Sequence, residues 1–417
     1  MSFLPDSDSE DELPPGWEEQ ATENGYVCYI NKQTKVAQMT HPRTGRSKRM
    51  AMELPLGWEK RFEEGTQKTV FFNTNTNQTT YVDPRLAFAL EEPPMNISQV
   101  RQRFDASTNA LQVLHGKDLH GRLAIVTGAN SGIGYETTRS LAFHGCDVIM
   151  ACRSRSSTEE AIERMAKDRA ACRNRLRWME LDLSSFKSVC SFVQQVRESV
   201  KHIDMLILNA GVFALPYTTT EDGLETTFQV SHLSHFYITQ QLESLFDHNT
   251  RIVVLSSESH RYANLPADNL TPQHLSPPPE KYWSMMAYNN AKLCNVLFAA
   301  KLAKLWKHRG ISVFSVHPGN MVSTRIQRNW WFYRLLFALV RPFTKSLQQA
   351  AATSIYCATA NELTGLTGLY FNNCYFCEPS KLSQNENLQN QLWTISEEMV
   401  NRLKEQQQGR QQQPMLF

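Results

Sequence analysis

The hexapeptide AYNNAK (287–292) sets Tyr288 and Lys292 four residues apart. On a helix that spacing puts both side chains on one face. A free tyrosine ionises at about pH 10 and exchanges protons poorly near neutrality. An ammonium held beside the phenol favours the phenolate and brings it toward the range that general acid–base catalysis needs. The same pair could equally be two surface residues, so its meaning rests on what surrounds it. The run RIVVLSS (251–257) ends in Ser257, whose hydroxyl could hold a carbonyl or alcohol oxygen against Tyr288.

The elements that must position these groups are readable from residue 121 onward. Apolar β-type runs (LAIVTG, DVIMAC, LRWMEL, DMLILN, RIVVLSS, ISVFSVHPG, GLYFNN) alternate with amphipathic helical stretches. Such alternation predicts an α/β, doubly wound parallel Rossmann-type sheet with ligands bound beyond the strands' carboxyl ends. The loop after the first run reads TGANSGIG, so Gly128, Ala129, Asn130, Ser131, Gly132, Ile133 and Gly134 could bring backbone amides close to a pyrophosphate. Arg153 follows the second run, where an acidic residue would take the ribose hydroxyls of NAD. An arginine there offers its guanidinium to the 2′-phosphate of NADP, which is the expected cofactor in preference to NAD.

Residues 121 to about 375 resemble the short-chain dehydrogenase/reductases, with matching motifs in sequence order. TGANSGIG fits TGxxxGxG, Asp182 in LDL fits an adenine-contacting aspartate, and LNAG (208–211) fits NNAG, which implicates Asn209 and Gly211. Ser257 with YNNAK fits the family's Ser and YxxxK, and HPG (317–319) supplies Pro318 and Gly319. The resemblance implies that Tyr288 donates and accepts the proton, Lys292 tunes it and reaches the cofactor ribose, and Ser257 positions the substrate. Two positions depart from the pattern. Ser231, in QVSHLSHF, stands where the family carries a proton-relay asparagine, and Leu208 replaces the first asparagine of NNAG. The long interval from Ser257 to Tyr288, containing SPPPEKYW, is similar to insertions of retinol-dehydrogenase-like members and is expected at the substrate rim. The apolar stretch NWWFYRLLFALVRPF (329–343) has three readings: a lid over a lipophilic, steroid- or retinoid-like substrate, an amphipathic contact with membrane or partner, or a core helix.

Ahead of this region lies an internal repeat. LPPGWEEQATENGYVCYINKQTKVAQMTHP (13–42) is echoed by LPLGWEKRFEEGTQKTVFFNTNTNQTTYVDP (54–84). Each copy carries three short β-type runs broken by turn-formers, and Trp17 with Pro42 and Trp58 with Pro84 would clasp the ends of so small a fold. Both copies resemble the WW domain, a three-stranded antiparallel module that binds proline-rich peptides of the PPxY type. In place of the family's second tryptophan stand Met39 and Tyr81. The resemblance assigns Tyr29 and Met39 to the first groove and Phe71, Thr79 and Tyr81 to the second, which is expected to be the binding module.

The expected organisation is a disordered acidic tail (1–12), a WW-like module (13–45), a basic linker (46–53), a second module (54–87), a linker (88–120), the dehydrogenase-like domain (121–400) and a disordered glutamine-rich tail (401–417). A net charge of +2 points to neither nucleic acid nor an anionic membrane. No secretory signal and no long apolar run are visible, so the nine cysteines are expected as free thiols in the cytoplasm. The four basic residues within 43–50 could serve nuclear import or be solvated linker charge. No metal site is expected, CYFC (374–377) being an isolated pair. The rival to an enzyme is a signalling adaptor whose dehydrogenase-like domain binds cofactor without turning over.

Overall fold

The computed structural model describes residues 13–43, 46–55, 57–91, 97, 100, 102–319 and 345–412. The chain divides into two units, Met1–Pro93 and Pro94–Phe417.

The first unit carries both repeats. Strands β1 (Trp17–Ala21), β2 (Val27–Asn31) and β3 (Ala37–Gln38) form one antiparallel sheet, and β5 (Trp58–Glu63), β6 (Lys68–Asn73) and β7 (Gln78–Thr80) form another. The second turn of each copy uses one device. Asn31 Oδ1 accepts from the Gln33 and Thr34 amides at 2.9 and 3.0 Å, and Asn73 Oδ1 accepts from those of Asn75 and Thr76 at 2.9 and 3.1 Å. An asparagine at this position closes a turn through its own side chain, which is why the repeat keeps it.

The segment expected as a basic linker is paired. Strand β4 (Lys48–Arg49) runs antiparallel to β8 (Leu90–Glu91), and Met50 is buried with its amide donating to Gly25 O at 2.8 Å. Lys48 bridges Glu19 at 3.1 Å, and the Arg49 guanidinium donates to Tyr26 Oη at 2.6 Å. The charged ends of these basic residues find partners on the first module, so the segment folds onto it.

Two groove assignments are corrected by strand parity. Tyr29 is fully buried, edge-on to His41 with ring centroids 5.2 Å apart, and Phe71 is 6% exposed. Phe71 pairs with Thr80 and Phe72 with Thr79, so extending the register places Val70 opposite Tyr81. Residues opposite one another share a face and neighbours along a strand do not. Val70, Phe72, Thr79 and the exposed Tyr81 therefore share one face, with Phe71 on the other. In the first module the same extension places Cys28, not Tyr29, opposite Met39.

The second unit is built on an eight-stranded sheet. Its strands are β9 (Leu123–Thr127), β10 (Asp147–Cys152), β11 (Leu176–Glu180), β12 (Met205–Leu208), β13 (Arg251–Leu255), β14 (Ser312–His317), β15 (Leu369–Asn372) and β16 (Tyr375–Cys377). They lie in the order β11-β10-β9-β12-β13-β14-β15-β16, all parallel except β16. The order reverses between β9 and β12, and such a switch point opens a crevice at the carboxyl ends. Helices α1 (Gly132–Phe143), α2 (Arg155–Asp168), α3 (Phe186–Ser199), α4 (Ser234–Gln241), α5 (Ser284–Trp306), α6 (Leu347–Thr359) and α7 (Glu386–Gln412) cover the sheet. One apolar core gathers α3, α4, α5 and α7 on one face, and a second gathers α1, α2 and α6 on the other. Strands buried on both faces read as continuous apolar runs, which is why β13 and β14 carry no buried–exposed alternation.

Two expectations change here. Part of the 88–120 linker packs into the unit, with Leu114 and Leu119 buried after a turn capped reciprocally by Asn109 and Gln112. The tail expected to be disordered from 401 continues α7 to Gln412, because Leu403 is 4% exposed in the core and the Lys404 ammonium lies 5.1 Å from the Tyr237 ring centroid. CYFC lies across a two-residue hairpin turn in which Asn373 and Cys374 take positive φ (54° and 58°), the geometry that suits the twist of β15 and β16. The 329–343 stretch and the 1–12 tail lie outside the described residues.

Asp204 fastens β9 to the segment entering β12, accepting from Arg122 Nη1 at 2.7 Å and from the Leu123 amide at 2.8 Å. Asp204→Ala leaves that amide without its acceptor and is expected to lower unfolding stability by about 2 kcal/mol in urea denaturation. A loss within error would remove this pair from the account of the fold.

Candidate active site

The phosphate-side cradle is made by the β9–α1 turn. Gly128 and Gly132 take positive φ (67° and 60°), a conformation costly for any other residue. A Cβ on Gly134 would stand 2.3 Å from Gly128 O and 2.5 Å from Asn209 Nδ2, so only glycine lets α1 start this close to the strand ends. Ser131, at the N-cap, makes no side-chain capping bond, which leaves the first amides of α1 available to an anion. Ala129, Asn130 and Ile133 lie in the same turn, with Asn130 held by its Nδ2 donating to Ser157 Oγ at 2.8 Å.

Arg153 follows β10 with its side chain 75% exposed and its Nη1 3.9 Å from Asp182 Oδ2. Asp182 is fixed by Ser184, whose amide and hydroxyl donate to Oδ1 at 3.0 and 2.6 Å. Pro318 and Gly319 follow β14, and Gly319 takes φ 101° where a Cβ would meet the Lys345 stem at 2.6 Å. These positions, the narrow glycine turn, open helix amides and an exposed guanidinium fit a nicotinamide dinucleotide.

The chemical end lies on β12, β13 and α5. Ser257 caps the short 3₁₀ turn Glu258–Tyr262 that follows β13. Tyr288 and Lys292 sit in the first turns of α5, as their spacing predicts. Burial pushes the Tyr288 phenol above its ordinary range, and the Ser257 hydroxyl beside it pulls the other way. Phe213 packs edge-on to the Tyr288 ring at 4.8 Å. Lys292 is 5% exposed; its Nζ donates to Leu255 O at 3.1 Å and lies 5.6 Å from the Tyr288 ring centroid. Burial brings Lys292 down to about 8.

Gly211 shows how the pieces converge. A Cβ placed there would be 3.4 Å from Lys292 Nζ and 3.5 Å from Ser231 Oγ, so its absence leaves a gap that both groups face. Ser231 lies in a π-helical turn (Gln229–Leu233) leading into α4, and its Oγ accepts from the Val212 amide at 3.5 Å. Its carbonyl accepts from His235 Nδ1 at 3.4 Å. The structure therefore brings Ser231, Ser257, Tyr288, Lys292, Asn209 and Gly211 together, with Arg153 and Asp182 at the far side of the switch point.

Several site residues escaped the sequence reading. Thr127 Oγ1 accepts from the Asn209 and Ala210 amides at 2.9 Å each and contacts His235 Nε2 at 3.0 Å. Asn295 Nδ2 donates to Leu255 O at 2.9 Å beside Lys292 Nζ, while its Oδ1 meets His232 Nδ1 at 3.3 Å. Thr127 stood inside the glycine motif and could have been found there. The histidines carried no local signal.

Because the folded Lys292 holds its proton less tightly than a free lysine, the unfolded chain binds more protons between about 8 and 10.5, and stability rises across that window. Relative to Lys292→Met, wild type should gain up to about 3 kcal/mol between pH 7.5 and 10.5, read from paired thermal melts. A constant difference across that range would contradict the buried, low-affinity proton site.

A family model described as short chain dehydrogenase matches residues 122–266, and one described as WW domain matches residues 54–84. The WW domain-containing oxidoreductase of Drosophila melanogaster is 72% identical over 98% of this chain and 100% of its own length. That of Homo sapiens is 46% identical over 95% and 96%. Retinol dehydrogenase 12 of Mus musculus is 38% identical over 67% of this chain and 86% of its own. Among solved structures, an uncharacterised protein from Mycobacterium paratuberculosis superposes with a TM-score of 0.56 at 25% identity, covering 72% of this chain and 97% of that one. With its two WW-type sheets ahead of a doubly wound dehydrogenase unit, this chain belongs to the WW domain-containing oxidoreductases, within the short-chain dehydrogenases.

Proposed function

We propose that the second unit is an NADP-dependent alcohol/carbonyl oxidoreductase acting on a lipophilic, steroid- or retinoid-like substrate, and that the second WW module recruits proline-rich partners of the PPxY type. The observation that carries the enzymatic part is the convergence of Ser257, Tyr288 and Lys292 beside the gap at Gly211. NADP rather than NAD is supported by the exposed guanidinium of Arg153 at the end of β10.

A bound nicotinamide, held by the β9–α1 turn and Arg153, would supply or accept the hydride. Tyr288 gives the matching proton to the substrate oxygen, or removes it, while Ser257 holds that oxygen in place. Lys292 favours the phenolate and, through the Gly211 gap, stands toward Ser231, whose carbonyl takes the place of the relay asparagine's. A lipophilic substrate is supported by the aromatic contacts here: Phe213 on Tyr288, and Tyr217 against Tyr282 with centroids 5.2 Å apart. Tyr282 belongs to the insertion and donates to Leu215 O at 2.8 Å, joining the insertion to the β12 loop. The similarity to retinol dehydrogenase 12 supports the same class.

For the WW module, the face bearing Val70, Phe72, Thr79 and Tyr81 is the proposed peptide groove, with the Arg61 guanidinium 3.9 Å from the Phe72 ring centroid. Met39 opposite Cys28 leaves the first module without an aromatic pair at that place. The proposed site of action is the cytoplasm, with nuclear entry through 43–50 when its contacts to Glu19 and Tyr26 open.

One observation favours the adaptor reading: the Ser231 carbonyl already accepts from His235 Nδ1 before any relay water is added. The two readings separate in one set of variants. Tyr288→Phe should lower retinal or steroid-ketone reduction by roughly 10²–10⁴ while leaving NADPH binding intact. Arg153→Glu should weaken NADPH binding, followed by fluorescence titration, by roughly 10–100-fold. Should Tyr81→Ala abolish the cellular effect while Tyr288→Phe leaves it whole, the adaptor reading stands and the enzymatic one is not the biological output.

A further inference from the structure

We propose that His260 is a positioning residue for catalysis, holding the Ser257 main chain through its imidazole and tying it to the segment Glu378–Ser380 that follows β16. The proposal rests on the reading of Ser257 and Tyr288 as a reacting pair.

The tautomer of His260 follows from its two partners. The Ser380 amide can only donate, and it does so to His260 Nε2 at 3.0 Å. Nε2 is therefore the unprotonated nitrogen, and Nδ1 carries the hydrogen it donates to Ser257 O at 2.7 Å. His260 is 1% exposed, and its ring packs on Tyr370 with centroids 5.0 Å apart. Burial lowers its proton affinity, in keeping with a neutral ring whose nitrogens are both engaged. The His260 amide also donates to Ser257 O, at 3.0 Å, but that bond closes the 3₁₀ turn upon itself. Among the described residues, the imidazole gives this carbonyl its link to a distant part of the chain.

The charged and titratable groups around the turn strengthen the same attachment. Glu258 accepts from Tyr370 Oη at 3.0 Å and pairs with Arg261, whose Nη2 donates to Glu378 O at 2.6 Å. The Glu258 amide donates to His317 Nδ1 at 3.3 Å. Ser257 thus leaves β13 in extended geometry (φ −156°, ψ 155°) and is held at its carbonyl by a clamp reaching β15 and the residues after β16. A serine that must present Oγ to Tyr288 gains from this clamp a fixed main chain, which a free 3₁₀ turn would not provide.

The two ring nitrogens can be tested separately. In His260→Asn the side-chain amide reaches the Nδ1 position and can donate to Ser257 O but not reach Ser380. In His260→Gln the side-chain amide reaches the Nε2 position and can accept from Ser380 but not serve Ser257. The experiment places 3,5-difluorotyrosine at position 288 of the full chain and follows its ionisation by ¹⁹F NMR, with NADPH titration as the check on folding. His260→Ala and His260→Gln should raise the apparent pKa of this phenol by about 0.5 or more, roughly a threefold change in ionisation constant, whereas His260→Asn should stay within about 0.2 of wild type. Equal titration of all four proteins, or rescue by His260→Gln and not His260→Asn, would overturn the proposal. The readout needs no substrate, so a failure to find turnover in any protein would count against the oxidoreductase reading and leave the His260 result standing by itself.

Discussion

The site depends first on one buried hydroxyl. Thr127 Oγ1 accepts two amides, from Asn209 and Ala210, so its single hydrogen is left for His235 Nε2. That assignment leaves His235 Nδ1 as donor to the Ser231 carbonyl, and burial holds the ring neutral, with its pKa brought down to about 3. Asn209 in turn returns its Nδ2 to Thr127 O at 2.9 Å and stands against the space where any side chain on Gly134 would go. One threonine therefore joins the phosphate-side turn, the wall at Asn209–Gly211 and the helix that carries Ser231. An unpaired polar group at this depth costs about 1–3 kcal/mol, so the three parts are fixed together.

The proposed catalytic groups show the opposite economy, in which burial works against charge. Lys292 is nearly enclosed and lowered to about 8, and Tyr288 is raised by its surroundings. Each protein neighbour offsets part of that penalty: the Leu255 carbonyl for the ammonium, the Ser257 hydroxyl for the phenol. Leu255 O also receives Asn295, so the carbonyl that holds Lys292 is itself held. Such supporting contacts would keep the two proposed groups within the narrow geometry that acid–base transfer needs.

Much of this was legible in the sequence, for physical reasons that differ from part to part. The seven parallel strands were readable because a strand buried on both faces must be apolar throughout, and the glycine turn because steric exclusion leaves one residue type at each tight point. Tyr288 and Lys292 were readable because helical spacing is local. His235 and His260 were not, since their partners at Ser231, Thr127, Ser257 and Ser380 are brought close by the tertiary fold. Tyr29 and Phe71 were assigned to the wrong face because a shift of one residue exchanges the two sides of a strand. The 48–49 strand was too short to show a period, and the composition of 401–412 concealed the burial of Leu403.

The claim that one hydroxyl organises the dinucleotide site is most directly tested by NADPH affinity in Thr127→Ser and Thr127→Val, measured by fluorescence titration beside wild type. Serine keeps the hydroxyl and should bind within about threefold of wild type. Valine keeps the shape but leaves the Ala210 amide and His235 Nε2 without their partner and the Asn209 amide with Ile207 O alone, so affinity should fall by roughly 10²-fold, a loss of about 3 kcal/mol. Wild-type affinity in Thr127→Val would contradict the account, because the turn, the wall and the Ser231 helix would then hold their places without the bond said to join them.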